Sequence, residues 1–173
     1  VLESRIVVIE PATVGDLRAG GVVFWVDPDD NTHGLVCAIE DQSSGIQGYN
    51  GSYTTTGAAG IAIGTGSANT TKIIASQDAT ETDYAAGLAW SYRGGDFNTW
   101  FLPGKDALNR MYLNMAAINS TATANSGSNF MSGVYWSSTE IDNDDAWVQF
   151  FYDGDQDYHN KYGTKSARAV RAF

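Results

Sequence analysis

Any chemistry in this chain has to come from its carboxylates, hydroxyls, two histidines and single cysteine, so their spacing is read first. Asp153, Asp155 and Asp157 alternate with Gly154 and Gln156, as oxygen ligands in a calcium loop would. Such a loop also needs glycine at its sixth position and glutamate at its twelfth, where Tyr158 and Thr164 stand instead. Asp27, Asp29 and Asn31 repeat the alternation with Thr32 and Ala38 at the corresponding places. Both segments read as solvated turns, and no metal ligand is assigned. A catalytic nucleophile needs a base within hydrogen-bond reach. Cys37 sits inside a hydrophobic run, and His33 and His159 fall in loop-like stretches. Gly60 to Gly66 is glycine-rich ahead of a helical pattern but lacks the Gly-Lys-Ser/Thr ending of a phosphate loop. No catalytic residue and no cofactor is assigned, and the chain reads as a non-enzyme.

Binding is a better use of the residues present. The last third opens with Tyr135-Trp136-Ser137-Ser138-Thr139-Glu140 and closes with Arg168-Ala169-Val170-Arg171-Ala172-Phe173. Between them, Trp147, Gln149, Phe151, Gly154, Gln156 and Lys161 are interspersed with Asp, Tyr, His, Asn and Phe. That texture reads as a rigid scaffold holding out changeable side chains over about residues 141–166. Lys161 and Lys165 are taken as a solvent-facing cationic patch, with Lys105 and Arg110 on an amphipathic helix as further basic candidates. Tyr152, Tyr158 and Tyr162 offer large contact area at low entropic cost. His159, Asp155 and Asp157 complete the candidate ligand-binding set. Arg168 and Arg171 are read as structural, pairing with a buried acid such as Glu140, and Trp136 and Trp147 as core.

Composition limits the partners. The chain has 173 residues, 43% hydrophobic and 12% aromatic, which fits one globular domain with a substantial core. Lys and Arg total 10 against 20 Asp and Glu, a formal net charge of −10 that argues against general nucleic-acid binding. One cysteine excludes an intramolecular disulfide. No run approaches the roughly 18 apolar residues of a membrane span. The start at Val1 reads as a fragment of a larger protein, with 1–15 a lead-in segment and 16–173 the ligand-binding domain.

The elements that must position these residues follow from pattern. A weak alternation over Val1 to Ile9 predicts a short strand or lead-in. Gly20 to Val26 and Gly34 to Ile39 predict a hairpin across the turn Asp27-Pro28-Asp29-Asp30-Asn31. Residues 41–66 read as a long ordered loop. Ser67 to Gln77 predicts a helix, and Thr80-Glu81-Thr82-Asp83 supplies caps for a second at Tyr84 to Trp90, ended by Gly94-Gly95. Thr99 to Pro103 predicts a short strand. Leu108, Met111, Tyr112 and Met115 mark one face of a third helix over 104–115. Residues 119–133 read as an exposed loop, and 134–138, 146–152 and 167–173 as three strands. The sum is an α+β domain with short antiparallel sheets, about three helices and long ordered loops.

Several ordered motifs carry a resemblance: Gly20 to Phe24, Gly34-Leu35-Val36, Ile63 to Thr70, Trp100 to Pro103, Tyr135 to Glu140, Ala146-Trp147 and Arg168 to Phe173. Over roughly 18–173 the chain resembles the C-terminal domain family of the Legionella collagen-like adhesins. The resemblance implies a C-type-lectin-like fold, display on a bacterial outer surface or in secreted form, a homotrimer on a collagen-like stalk, and binding of sulfated glycosaminoglycans. The sugar-binding tripeptides of calcium-dependent lectins are absent, since Glu10-Pro11 is followed by Ala12. The same domain type also serves as the variable protein of diversity-generating retroelements, which implies a changing protein ligand such as a host surface protein. There, mutagenised asparagine codons never yield Trp, Gln, Lys, Glu or Met. Trp147, Gln149, Gln156 and Lys161 belong to that unreachable class, whereas Ile141, Asp142, Asn143, Asp144, Val148, Phe150, Tyr152, Asp153, Asp155, Asp157, Tyr158, His159, Asn160 and Tyr162 do not.

Overall fold

The computed structural model describes residues 8–77 and 82–173. In chain order the elements are β1 (Leu17–Arg18), β2 (Gly21–Val26), β3 (Gly34–Cys37), β4 (Ser43–Ile46), α1 (Gly66–Gln77) and α2 (Ala85–Ser91). There follow α3 (Lys105–Leu113), α4 (Met115–Ala124), β5 (Val134–Glu140), β6 (Asp145–Phe150), β7 (Gln156–Asn160), β8 (Lys165–Ala167) and β9 (Val170–Ala172). The α+β class holds, with four α-helices among the described residues where about three were expected. The strand expected within 1–9 lies outside the described residues up to residue 7, and Val8 and Ile9 are exposed and outside any strand.

Two sheets form, one in the order β1-β2-β3-β9 and one in the order β4-β8-β5-β6-β7. All pairings are antiparallel except β5 with β8, which run parallel at Tyr135 and Ser166. The second sheet is therefore mixed, where short antiparallel sheets were expected. The terminal stretch read as one strand is two: β8 belongs to the second sheet and β9 to the first, parted by Arg168 and Ala169. The chain from β3 to β4 makes the same passage alongside. Ala38 N–H donates to Ala169 O, Gln42 N–H to Ala167 O, and the Ala169 amide to the Gln42 side chain. A single antiparallel ribbon therefore bends from one sheet into the other.

Alternation along the central strands builds two cores, because successive side chains point to opposite faces. Val22, Phe24, Leu35, Cys37 and Tyr135 face α3 and α4 through Leu108, Met111, Ile118 and Ala122. Val23, Val36, Ala38, Trp136 and Val148 face the other way, onto Ile73 of α1, Ala85, Ala86 and Ala89 of α2, and Trp100 and Leu102. Burial pushes the Cys37 thiol up to about 12, which leaves it an inert packing residue. Thr99 to Pro103 makes no strand, only a bridge between Phe101 and Val170.

The loop expected over 119–133 begins as helix, because α4 runs to Ala124. Its Ser, Thr and Asn content hides the helix, but Ile118 and Ala122 fall four apart and are fully buried. Its hydroxyls bond the backbone: Thr121 Oγ1 donates to Gly15 O at 2.6 Å and Thr123 Oγ1 to Asn119 O at 2.7 Å. At the start of α2, the Ala85 amide donates to Gln47 O at 2.9 Å; of the expected caps, Thr80 and Glu81 lie outside the described residues.

At the bend, Arg168 is structural, but its acid is Asp41 and not Glu140. Its Nε donates to Asp41 Oδ1 at 2.6 Å, and its side chain is 0% exposed. Nη2 donates to the Ser128 and Asn129 carbonyls at 3.2 Å, and the guanidinium lies 4.0 Å over the Phe130 ring. Tyr135 Oη donates to the second Asp41 oxygen at 2.7 Å. Arg171 meets no acid: it bonds Thr99 Oγ1 and Ala19 O and covers Phe97. Removing one partner of a buried pair strands the other charge. Arg168→Ala is accordingly expected to cost about 3 kcal/mol in urea unfolding, as such losses typically do, and Arg171→Ala clearly less.

Candidate functional site

Most of the candidate residues gather around the ribbon of β6 and β7, the outer strands of the second sheet. Its register pairs Trp147 with Tyr158, Val148 with Asp157 and Ala146 with His159. Cross-strand partners share a face, so Tyr158 stands beside Trp147 on one side and His159 and Asp157 beside Ala146 and Val148 on the other. On the first side the Trp147 and Tyr158 rings meet edge to face at 6.1 Å. Lys105, at the start of α3, lays its ammonium 4.5 Å over Trp147. On the second side Phe150 carries His159 at 5.6 Å and Tyr152 at 5.3 Å. Tyr152, Tyr158 and Tyr162 are all more than half exposed, and Asp155 and Asp157 are exposed too.

Lys161 contradicts the cationic-patch expectation. It is buried, and its ammonium donates to Glu140 Oε2 at 2.9 Å and to the Asp142 and Asn143 carbonyls at 2.7 and 2.9 Å. A lysine taken out of water needs an acid partner and full hydrogen bonding, and Glu140, twenty-one positions away, supplies the acid. Glu140 also accepts from the amides of Thr56 and Gly57 and from the Thr56 hydroxyl. The pair thus ties the 141–144 turn, the 47–57 loop and the end of β7 to one point. Burial disfavours the Glu140 carboxylate, but hydrogen bonds from Lys161 and Thr56 outweigh it and hold its pKa below the ordinary 4.5.

Lys165 and Arg110 are not brought to the ribbon. Lys165 is half-buried on β8 with its ammonium 5.6 Å over Trp136. Arg110 is exposed and lines a separate groove with Val14, Trp25, Pro28 and Asn114. The alternate aspartates face their own backbone: Asp153 accepts from the Asp155 amide, Asp157 from Tyr158, and Asp27 from Asp29. Among the described residues no group of three or more His, Cys, Asp or Glu could hold a metal ion, and no helix is long and apolar enough to cross a membrane.

Two other tail residues act as braces. Gln149, fully buried, donates from Nε2 to the Gly154 and Asp155 carbonyls at 2.8 and 3.3 Å. Gln156 donates to Lys105 O at 2.9 Å, joining β7 to α3. Gly154 has φ +90°, and a Cβ there would overlap the Tyr112 ring, so the hairpin tip requires glycine. Two aromatics that sequence reasoning passed over join this end of the sheet. Tyr49 and Tyr53 pack at 4.9 Å, and Tyr53 Oη donates to Asn160 Oδ1 at 2.7 Å. Their only signal was tyrosine within a Ser/Thr/Gly-rich loop.

The Glu140 pair gives a signed pH expectation. With its folded pKa depressed, its stabilisation is complete above about 4.5 and is lost as pH falls through the folded value. Urea midpoints measured across this acid range should fall for the native chain, and Glu140→Gln should remove that component. Lys161→Ala is expected to cost about 3 kcal/mol, as for loss of one partner of a buried pair.

No family model matches the chain, and no curated protein matches it. Among solved structures, a fimbrial protein from Bacteroides ovatus shares the fold with a TM-score of 0.63 at 15% identity. The match covers 88% of this chain and 44% of that one, so the chain spans less than half the length of its structural neighbour.

Proposed function

We propose that the chain is a non-catalytic, C-type-lectin-like ligand-binding domain of a surface-displayed or secreted bacterial protein, and that the β6–β7 ribbon and its flanking turns contact a protein ligand. One observation carries the reading: the tail divides by role. Gln149, Gln156 and Lys161 donate to backbone carbonyls or a buried acid, while Tyr152, Tyr158, Tyr162, Asp155 and Asp157 stand exposed, Tyr158 against the Trp147 ring and Tyr152 against Phe150, with no side-chain hydrogen bond to a distant element. Exposed tyrosine on a braced backbone is the chemistry of protein recognition. The fimbrial identity of the structural neighbour supports a surface role.

The same division supports the diversification reading. Of the residues unreachable from mutagenised asparagine codons, Gln149, Gln156 and Lys161 are braces; of the fourteen reachable ones nine are exposed, four are half-buried and Val148 is fully buried. A near-copy of the last third in adjoining DNA, differing at adenines and beside a reverse transcriptase gene, would establish it.

The sulfated-glycan reading loses its main cation with Lys161 and rests on Lys105, Lys165 and Arg110, which stand in three different places. The purified chain is expected to pass through heparin at physiological salt. An immobilised panel of extracellular proteins and sulfated polysaccharides tests both readings. Retention by a protein, lost in Tyr158→Ala/Tyr162→Ala with unchanged unfolding midpoint, is the expected result. Salt-sensitive retention by polysaccharide alone would overturn it. Light scattering on the same sample tests the homotrimer that the family resemblance implies.

A further inference from the structure

The two sides of the β6–β7 ribbon differ in one respect that bears on partner chemistry. Among the described residues, five aromatic rings each carry one of the chain's own cations: Phe173, Trp147, Trp136, Phe130 and Phe97. On the Trp147 side of the ribbon the cation is Lys105. On the opposite side the Phe150 ring, with Tyr152 and His159 against it, carries no lysine or arginine. The core beneath buries Ala146 and Val148, and Phe150 packs against it only partly buried, at the outer end of that face.

Charge around this aromatic cluster is of one sign. Asp153 and Asp155 lie in the hairpin turn beside Phe150, whose amide donates to Asp155 O, and Asp157 is the register partner of Val148. All three are exposed, and none forms an ion pair. The Asp153 and Asp157 carboxylates each accept from one neighbouring amide, which leaves lone pairs free toward solvent. Lys161, the one lysine in the 141–162 stretch, is buried and neutralised by Glu140.

We infer that this face of the ribbon, centred on Phe150 and Tyr152 and rimmed by Asp153, Asp155 and Asp157, docks an arginine- or lysine-bearing segment of a partner protein. The arginine plane or lysine stem stacks on the rings, and the aspartates take the charge. The Lys105–Trp147 contact on the reverse side is the same arrangement made within the molecule. The inference rests on the protein-ligand reading above and specifies its partner.

The test uses the whole chain and a short fluorescein-labelled peptide of alternating arginine and serine, with its glutamate counterpart, read by fluorescence anisotropy. The arginine peptide should bind and weaken with added salt, and the glutamate peptide should not bind. Asp153→Asn/Asp155→Asn/Asp157→Asn keeps the turn acceptors and should weaken binding about tenfold, the sum of three modest exposed ion pairs. Tyr152→Ala, which leaves charge unchanged, should weaken it severalfold. A control, Glu10→Gln/Asp29→Asn/Asp30→Asn beside the β2–β3 turn, changes net charge equally and should leave affinity within about twofold if the site is local. Equal losses from the two triple variants, or no loss from Tyr152→Ala, would reduce the effect to diffuse attraction and overturn the inference. So would heparin binding that these substitutions alter. Failure of the arginine peptide alongside a protein retained through Tyr158 and Tyr162 refutes only the partner chemistry. Failure of both removes the protein-ligand reading as well.

Discussion

The ion pair of Arg168 with Asp41 fixes where one antiparallel ribbon leaves the first sheet and enters the second. Both residues sit at the bend, in the adjacent segments that join β3 to β4 and β8 to β9, and each meets a second element there: Arg168 the 128–130 segment, Asp41 the Tyr135 hydroxyl. The pairing of β8 with β5, and through β5 the placement of β6 and β7, follows from that corner. Desolvation of both ions offsets much of their attraction, so the pair contributes more to specifying this bend than to net stability. A hydrophobic replacement could fill the space without selecting which strands meet.

Glu140 and Lys161 repeat the device at the other end of β5. Here the charges are used to gather irregular chain: two carbonyls of the 141–144 turn, two amides of the 56–57 segment and the last residues of β7. Loops of this length have no ladder to satisfy their backbone, and a buried charge with several hydrogen-bonding positions can serve several strands of loop at once. Gln149 does the same for the hairpin tip with a neutral amide.

How far the sequence discloses this depends on whether the deciding contact is local. The β2–β3 hairpin and α3 are legible because alternation and helical spacing are properties of consecutive residues. α4 is not, because its two fully buried side chains, Ile118 and Ala122, are outnumbered by Ser, Thr and Asn, of which Thr123 bonds within the helix, Thr121 bonds Gly15 and Asn119 accepts from Phe130. The break at Arg168 is invisible in an alternating run, since it is set by Asp41 across the fold. Lys161 misleads for the same reason: lysine in a polar stretch is ordinarily solvated, and only the distant Glu140 makes it a core residue. The exposure of Tyr152, Tyr158 and Tyr162 is legible because Asp153-Gly154-Asp155 follows the first and polar residues or glycine flank the other two.

The bracing of the tail also bears on the kinetics of encounter. A surface whose turns are already held by Lys161, Gln149 and Gly154 has little backbone freedom left to lose when a ligand arrives. Association then waits on diffusion and orientation, not on the ordering of a loop. On the proposed protein-binding reading, side-chain changes at Tyr152, Tyr158 or Tyr162 would alter how long a complex lasts while leaving the rate of its formation nearly constant, so discrimination between partners would be written in their residence times.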